Sequence, residues 1–217
     1  ELTLEVLGRT LAEPHLAGWE GLGLAVQAYQ KRAPAVLQWL TALAETRRAR
    51  IPVRLVKGAY WDYEIKRAQQ LGLPGYPVFT RKAHTDVAYL ACARRLLAAD
   101  RLYPQFATHN AHTVAAVLEL AGGRPFEFQR LHGMGEALYD ALVREGAAAC
   151  RVYAPVGSHR ELLPYLVRRL LENGANTSFV HRIADPKVPV ERLAADPAQR
   201  VREREPAHPP AALPLPE

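Results

Sequence analysis

The chain has 217 residues, enough for one domain of ordinary size but too few for two full enzyme domains. Hydrophobic residues make up 49% and charged residues 23%, which is the composition of a folded protein and excludes a disordered one. No apolar run reaches the ~20 residues that cross a bilayer, and no basic secretion signal begins the chain. Only Cys92 and Cys150 are present, without a CxxC pair. These features predict a cytoplasmic protein with no disulfide framework and no structural zinc site.

The net charge of +6 comes from 28 basic and 22 acidic residues, which raises the question of nucleic-acid binding. The basic residues are scattered in pairs such as Arg47 with Arg48 and Arg94 with Arg95, and no zinc-finger, RNP or arginine-rich pattern surrounds them. We therefore expect no nucleic-acid binding by this segment. A solvated surface or an anionic small ligand accounts for the charge.

Five short apolar runs have the length and composition of strands, and helical patterns separate them. The predicted strands are Gly21 to Ala28, Val53 to Val56, Pro104 to Ala107, Phe126 to Leu131 and Cys150 to Tyr153. The predicted helices are Ala33 to Arg50, Tyr63 to Leu71, Thr85 to Ala99, His112 to Ala121, Gly135 to Arg144 and His159 to Asn173. This alternation is typical of an α/β protein with a parallel sheet and right-handed crossovers.

Polar residues follow the predicted strands, as expected of a βα barrel, whose functional groups cluster where strands end. Lys57-Gly58-Ala59-Tyr60-Trp61 follows the second strand, and Thr108-His109 follows the third. Neither a dinucleotide-binding glycine fingerprint nor a P-loop is present. A complete barrel needs eight strands and about 250 residues. Five predicted strands therefore indicate either the C-terminal part of a barrel or an open α/β sheet.

The composition changes near residue 183. Residues 181–217 hold 8 of the 17 prolines and show little apolar periodicity. We interpret residues 1–182 as the folded domain and residues 183–217 as a proline-rich linker.

Arg54 stands among the apolar residues of the second predicted strand, where an unpaired guanidinium is costly. It either forms an ion pair inside a barrel or binds a ligand, and the residue alone does not decide between them. Gly58 and Ala59 would let backbone N–H groups approach a ligand closely, although a tight turn explains them equally well.

The last predicted helix carries a second stripe beside its apolar one, formed by Tyr165, Arg168, Arg169 and Glu172. A solvated face with an Arg168–Glu172 pair is the default interpretation, but the cation precedes the anion, which is the less favourable order. Two adjacent arginines suit a carboxylate held by a guanidinium fork. The histidines form no ligand motif, so we expect no metal site.

Several long motifs closely resemble the proline dehydrogenase family, as found in bifunctional proline utilization enzymes. They are Gln27-Ala-Tyr-Gln-Lys-Arg, Val53-Arg-Leu-Val-Lys-Gly-Ala-Tyr-Trp-Asp, Tyr76-Pro-Val-Phe-Thr-Arg-Lys, Tyr103-Pro-Gln-Phe-Ala-Thr-His-Asn-Ala, Phe126-Glu-Phe-Gln-Arg-Leu-His-Gly-Met-Gly-Glu, Cys150-Arg-Val-Tyr-Ala-Pro-Val-Gly and Tyr165-Leu-Val-Arg-Arg-Leu-Leu-Glu-Asn-Gly-Ala-Asn-Thr-Ser-Phe-Val. The matches keep one order over roughly residues 21–183, which makes the resemblance far more specific than any short motif.

The resemblance implies a distorted (βα)8 TIM-type barrel of which about five C-terminal βα units are present. It also implies FAD as cofactor, oxidation of L-proline to Δ1-pyrroline-5-carboxylate, and transfer of electrons to a quinone. Because the quinone is dissolved in the membrane, the implied location is cytoplasmic with peripheral contact at the inner membrane face.

The resemblance further assigns roles to individual residues. Arg168 and Arg169 would hold the proline carboxylate, while Tyr153 and Leu131 would pack against its ring. Arg54 would lie near the reactive edge of the flavin as the catalytic cation. The remaining residues implied to line the flavin are Gln27, Lys57, Gly58, Ala59, Tyr60, Trp61, Thr108, His109 and Glu172.

The chain also departs from the family pattern. Three further strands begin the family's barrel and supply a lysine and an aspartate to the site, and the first 20 residues here are too few to hold them. The last residues resemble the stretch that leads into an aldehyde dehydrogenase domain. We therefore interpret the chain as part of a bifunctional enzyme; the alternative is a non-catalytic βα module that binds an anionic ligand or a partner subunit.

Overall fold

The computed structural model describes residues 2–174 and 185–204. The strands are β1 (Leu24–Gln27), β2 (Ile51–Val56), β3 (Leu102–Ala107), β4 (Glu127–Leu131) and β5 (Ala149–Tyr153). The helices are α1 (Leu2–Leu11), a 3₁₀ turn (Pro14–Leu16), α2 (Ala33–Arg47), α3 (Trp61–Gln70), α4 (Lys82–Ala98), α5 (Ala111–Ala121), α6 (Glu136–Arg144), α7 (His159–Gly174), α8 (Val190–Ala194) and α9 (Pro197–Arg204).

All five predicted strands and all six predicted helices are confirmed, with ends that differ by a few residues. The first strand is shorter than predicted and begins at Leu24. Helix α2 ends at Arg47 rather than Arg50, because Arg48 adopts a left-handed backbone conformation with φ of 53°. Helix α4 begins three residues earlier than predicted, at Lys82.

The five strands are all parallel and lie in consecutive order, β1-β2-β3-β4-β5. A doubly wound sheet reverses its strand order and carries helices on both faces. Right-handed crossovers that always step in the same direction instead place every crossover helix on one face, which is the arrangement of a βα barrel. The strand order therefore favours the predicted partial barrel over an ordinary open α/β sheet.

The two faces of the sheet have opposite character because successive strand residues point to opposite sides. Ile51, Val53 and Leu55 point towards the helices and are fully buried. Phe106 and Phe128 extend this core across the next two strands, and their rings pack at a centroid distance of 6.4 Å. Between these residues the strands carry mainly polar side chains on the opposite face, which we call the concave face.

Helix α1 was not predicted, although Leu4, Leu7 and Leu11 have helical spacing. Leu7 and Leu11 belong to the main core. Arg47 fixes the end of this helix by donating from its Nε to the Leu11 carbonyl oxygen at 3.1 Å and from Nη2 to the Leu16 carbonyl oxygen at 3.1 Å. The residues before β1 thus cover the core rather than form a strand.

The segment interpreted as a linker contains α8 and α9 within its described residues 185–204. Helix α9 packs against α4, and Pro197 at its start is buried. Part of this segment therefore lies against the domain.

We expect Gly23→Ala to destabilise the fold. An added Cβ would lie 2.1 Å from the backbone oxygen of Pro52, and strand backbone cannot move aside cheaply. Steric clashes of this kind cost about 2 kcal/mol, so the melting temperature should fall by roughly 4–8 °C for a chain of this size. Circular dichroism during heating measures the shift.

The matched control is Gly75→Ala, because a Cβ there would meet no described atom within 4 Å. This control should melt within about 1 °C of the wild type, since surface changes are usually neutral. Equal melting temperatures for Gly23→Ala and the wild type would contradict the close approach of β1 to β2.

Candidate active site

The sequence-predicted site residues gather at one edge of the sheet. Gln27 ends β1, Leu131 ends β4 and Tyr153 ends β5. The segment 57–61 follows β2, and residues 108–109 follow β3. Parallel strands bring their carboxyl ends to the same edge, which is where barrel enzymes place their active sites. The strand ends that carry these residues therefore lie at one edge of the sheet, and the roles of the residues remain predictions.

Arg54 lies on the concave face of β2, and its guanidinium carbon is 4.2 Å from the ring centroid of Tyr153. Strands β2 and β5 are three strand spacings apart, about 14 Å in a flat sheet. The two side chains therefore reach towards each other across the concave face. The contact is a cation–π interaction, which orients the guanidinium without neutralising it.

The alternative that Arg54 serves a structural ion pair is not supported. Among residues 2–174 and 185–204 no carboxylate lies within salt-bridge distance of it, and its Nε is buried without a hydrogen-bond partner. An unpartnered buried guanidinium N–H costs free energy unless a ligand accepts from it. This atom indicates that an acceptor group belongs on the concave face.

The two arginines of α7 contact aromatic rings at the same edge. Arg168 donates from Nη1 to the Tyr60 hydroxyl oxygen at 2.5 Å, and its guanidinium carbon lies 4.6 Å from the Tyr60 ring centroid. The guanidinium of Arg169 lies 5.1 Å from the ring of Tyr165. Tyr60, which the resemblance assigned to the flavin, thus orients one member of the predicted carboxylate fork.

Glu172 lies in the last turn of α7, and its side chain is outside the described residues.

His109 is a neutral hydrogen-bond acceptor at the end of β3. Its Nε2 accepts from the Leu131 N–H at 3.1 Å, which links the ends of β3 and β4. Burial, and to a smaller extent the charges of Arg169, Arg130 and Arg54, together lower its pKa to about 4. A neutral imidazole therefore stands among several guanidinium groups.

Thr108 is buried next to His109 in the chain and accepts hydrogen bonds that hold the end of β3 in place. Its Oγ1 accepts from the Asn110 N–H at 3.2 Å, and its carbonyl oxygen accepts from the Tyr139 hydroxyl at 2.6 Å. Asn110 in turn caps α5 by accepting from the Thr113 N–H at 3.1 Å. These bonds fix the strand end, so Thr108 has a structural role here beside its implied contact with the flavin.

Lys57 is engaged by an acidic partner that sequence analysis missed. Its Nζ lies 2.5 Å from Asp86 Oδ1, and Lys82 Nζ lies 2.9 Å from Asp86 Oδ2. Burial lowers the pKa of Lys57 despite the attraction of Asp86. Burial alone would raise the pKa of Asp86, but the two lysines outweigh it and lower that pKa. The group borders a cavity of about 30 Å³ that Arg200 of α9 also lines.

The structure explains the glycine at position 58 by its packing against a neighbouring ring. Its φ is +138°, and an added Cβ would lie 2.5 Å from Cγ of Tyr29. Glycine is therefore required by the packing of Tyr29, rather than by approach of a ligand from that side. Ala59 next to it is exposed, and Trp61 donates from Nε1 to the Phe79 carbonyl oxygen at 2.9 Å.

A polar network on the concave face was also missed from the sequence. Glu127 accepts from Arg151 Nε and Nη2, both at 2.8 Å, and from Gln105 Nε2 at 3.0 Å and Gln129 Nε2 at 2.8 Å. The alternation of polar and apolar residues in Glu127-Phe128-Gln129 could have revealed it. Arg151 and Arg54 line one groove of about 550 Å³ on this face.

Within the described ranges, no three His, Cys, Asp or Glu side chains come together as a set that could hold a metal ion. In the same ranges no helix has the length and apolar character needed to cross a membrane.

We expect His109 to make stability depend on pH. Between pH 6.5 and about 4 the unfolded chain binds a proton at this residue and the folded protein does not. Stability is therefore lost as the pH falls through this interval, by at most about 3 kcal/mol. His109→Gln removes the titration and keeps an acceptor for the Leu131 N–H.

Melting temperatures of both proteins from pH 7 to pH 4 test this expectation. The wild type should lose more stability on acidification than His109→Gln, while His112, whose pKa is also lowered, contributes equally to both. Parallel pH curves would show that His109 is not held neutral by its surroundings.

Comparison with known proteins agrees with this geometry. A family model described as proline dehydrogenase matches residues 1–182. The chain is 57% identical over 226 aligned residues to the bifunctional protein PutA of Klebsiella aerogenes, covering 100% of this chain and 17% of that protein. It is 32% identical over 161 residues to the mitochondrial proline dehydrogenase 2 of Arabidopsis thaliana, covering 68% of this chain and 33% of that protein.

Among solved structures, a variant of Bradyrhizobium japonicum proline utilization A is similar with a TM-score of 0.92 and 61% identity, covering 99% of this chain and 22% of that one. The chain thus spans 17% of the length of the Klebsiella relative. A match over residues 1–182 together with this structural similarity settles the family. The chain belongs to the proline dehydrogenase family.

Proposed function

We propose that this chain provides the C-terminal five βα units of an FAD-dependent proline dehydrogenase. The reaction is oxidation of L-proline to Δ1-pyrroline-5-carboxylate, with the electrons passed to a quinone. The observation that carries the proposal is the gathering of Arg54, Arg168 and Arg169 at the carboxyl edge of the sheet, beside the neutral His109. Such a cationic edge suits an anionic substrate and an electron acceptor that gains negative charge.

The residues at this edge fit a flavin. The unpartnered Nε of Arg54 supplies a donor on the concave face, as a flavin carbonyl or ring nitrogen requires. Bound flavin supplies the hydride acceptor, which no protein side chain can replace. A fixed guanidinium beside it stabilises the negative charge that accumulates on reduction, and the ring of Tyr153 holds that guanidinium in place.

Arg168 and Arg169 are proposed to hold the substrate carboxylate, and Tyr153 and Leu131 to pack against the pyrrolidine ring. Leu131 and Tyr153 are paired neighbours at the ends of β4 and β5, and Leu131 is buried. This places an apolar wall next to the cations. Such a wall orients a small cyclic amino acid and keeps water from the carbon that loses hydride.

The remaining residues are proposed to line the flavin from the strand ends. They are Gln27, Lys57, Gly58, Ala59, Tyr60, Trp61, Thr108, His109 and Glu172. Several of them also bind one another or the backbone, so their contribution to the flavin site includes fixing its shape. Lys57 and Lys82 share the single carboxylate of Asp86, so this group keeps a net positive charge near the end of β2 that suits the phosphates of FAD.

The chain is further proposed to act within a longer bifunctional enzyme. The other βα units of the barrel would complete the site, and residues 183–217 would lead towards an aldehyde dehydrogenase domain. Reduction of a quinone implies a cytoplasmic enzyme with peripheral contact at the inner membrane face. Similarity to bifunctional PutA over the whole chain supports this organisation.

We expect Arg168→Met and Arg169→Met each to raise KM for L-proline on the order of 10- to 100-fold in the full-length enzyme, because each removes charge-assisted hydrogen bonds to the carboxylate. Arg160→Met is the matched control, since Arg160 is exposed at the start of the same helix. It should leave KM unchanged. Equal KM values for all three variants would reject the carboxylate fork.

A further inference from the structure

We propose that Tyr29 is a positioning residue that holds segment 57–61 in the shape required by the flavin and substrate sites. The inference rests on the proposed function. Tyr29 lies two residues beyond β1 and is 2% exposed, so its ring belongs to the protein interior. Its effect would pass through the backbone of Gly58 and its neighbours.

The backbone of Tyr29 joins two loops. Its N–H donates to the Lys57 carbonyl oxygen at 2.8 Å, which extends the pairing of β1 with β2 beyond the strand ends. Its own carbonyl oxygen accepts from the Phe79 N–H at 2.8 Å. Trp61 closes the arrangement by donating to the Phe79 carbonyl oxygen. One end of segment 57–61 is therefore bonded to Tyr29 and the other to Phe79, and these two residues are hydrogen-bonded to each other.

The ring of Tyr29 belongs to a second, small core separate from the main one. Its other buried members are Ile65, Ala68, Tyr76 and Val78, and Trp61 packs against them. This small core lies behind segment 57–61 and connects it to α3. Because packed cores deform little, the position of the Tyr29 ring fixes the position of the backbone of segment 57–61 that packs against it.

Gly58 rests directly on that ring. A Cβ at Gly58 would lie 2.5 to 2.7 Å from Cγ, Cδ1 and Cδ2 of Tyr29, so the main chain lies against the ring with no room for a side chain. The φ of +138° is also a conformation that side chains other than glycine rarely adopt. The ring of Tyr29 can occupy this position only if residue 58 has no side chain.

The hydroxyl of Tyr29 points to the same segment. The Tyr60 N–H faces it, although no donor or acceptor in the described ranges reaches hydrogen-bond geometry with this oxygen. Burial raises the pKa of Tyr29 to about 12, so the group stays neutral. The ring, rather than the hydroxyl, therefore carries the positioning effect, and Tyr60 passes it on to Arg168.

A double-mutant cycle between Tyr29 and Gly58 in the full-length enzyme tests the proposal. Gly58→Ala should weaken FAD binding at least 10-fold, as measured by quenching of flavin fluorescence. In a Tyr29→Ala background, where the clashing ring atoms are gone, the same change should weaken it only two- to threefold further, through its backbone strain. Non-additivity of this size is expected only for residues in contact.

Two controls separate positioning from loss of stability. Tyr29→Phe keeps the ring and should bind FAD within twofold of the wild type. Tyr76→Ala removes another tyrosine of the small core, whereas the three atoms nearest to the Cβ position of Gly58 all belong to Tyr29, so the effect of Tyr76→Ala should add to that of Gly58→Ala. Additive effects in the Tyr29 cycle would overturn the proposal.

Hydrogen exchange of the flavin-free proteins gives a readout that does not depend on the proposed function. Gly58→Ala should speed exchange in residues 57–61 alone, and adding Tyr29→Ala should not speed it further. If the wild type binds no FAD, the proposed function fails while exchange still decides whether the contact positions this segment. Unchanged exchange in Gly58→Ala would overturn the positioning role.

Discussion

Burial of apolar side chains on only one face of the sheet determines where the polar groups of this protein lie. The consecutive order of β1 to β5 puts the crossover helices on the side of Ile51, Val53 and Leu55. The opposite face carries mainly polar side chains, which need polar partners or a ligand. Glu127 accepts four hydrogen bonds from Arg151, Gln105 and Gln129, whereas the Nε of Arg54 has no hydrogen-bond partner among the described residues. Among the described residues, the polar atoms of Glu127 thus have hydrogen-bond partners on this face, whereas the Nε of Arg54 has none.

Electrostatics at the carboxyl edge depend on this arrangement. Aromatic rings orient Arg54 and Arg168, and a ring does not cancel the charge that it holds. His109 stays neutral because burial and the nearby guanidinium groups both disfavour its protonation. The edge is thus rigid and positively charged before any ligand binds, which is the preorganisation that favours a carboxylate and a reducible ring system.

Local sequence patterns predicted the elements well, because apolar runs of strand length alternate with helical periodicity throughout the domain. They also placed the site at the strand ends. The partners of individual side chains were beyond reach: Asp86 is 29 residues from Lys57, and Tyr29 is equally far from Gly58. Such contacts arise only when the strands are set side by side. Gly58 shows why the sequence alone is insufficient. A glycine is required both where a ligand lies against the backbone and where a buried ring does, and the sequence does not distinguish the two cases.

The cationic edge is proposed to serve flavin-dependent oxidation of proline. The most direct measurement is the visible absorbance of the flavin bound to the full-length protein, recorded without oxygen before and after addition of L-proline. We expect the absorbance of oxidised flavin to be lost as proline is consumed. Flavin that binds but stays oxidised in excess L-proline would contradict it.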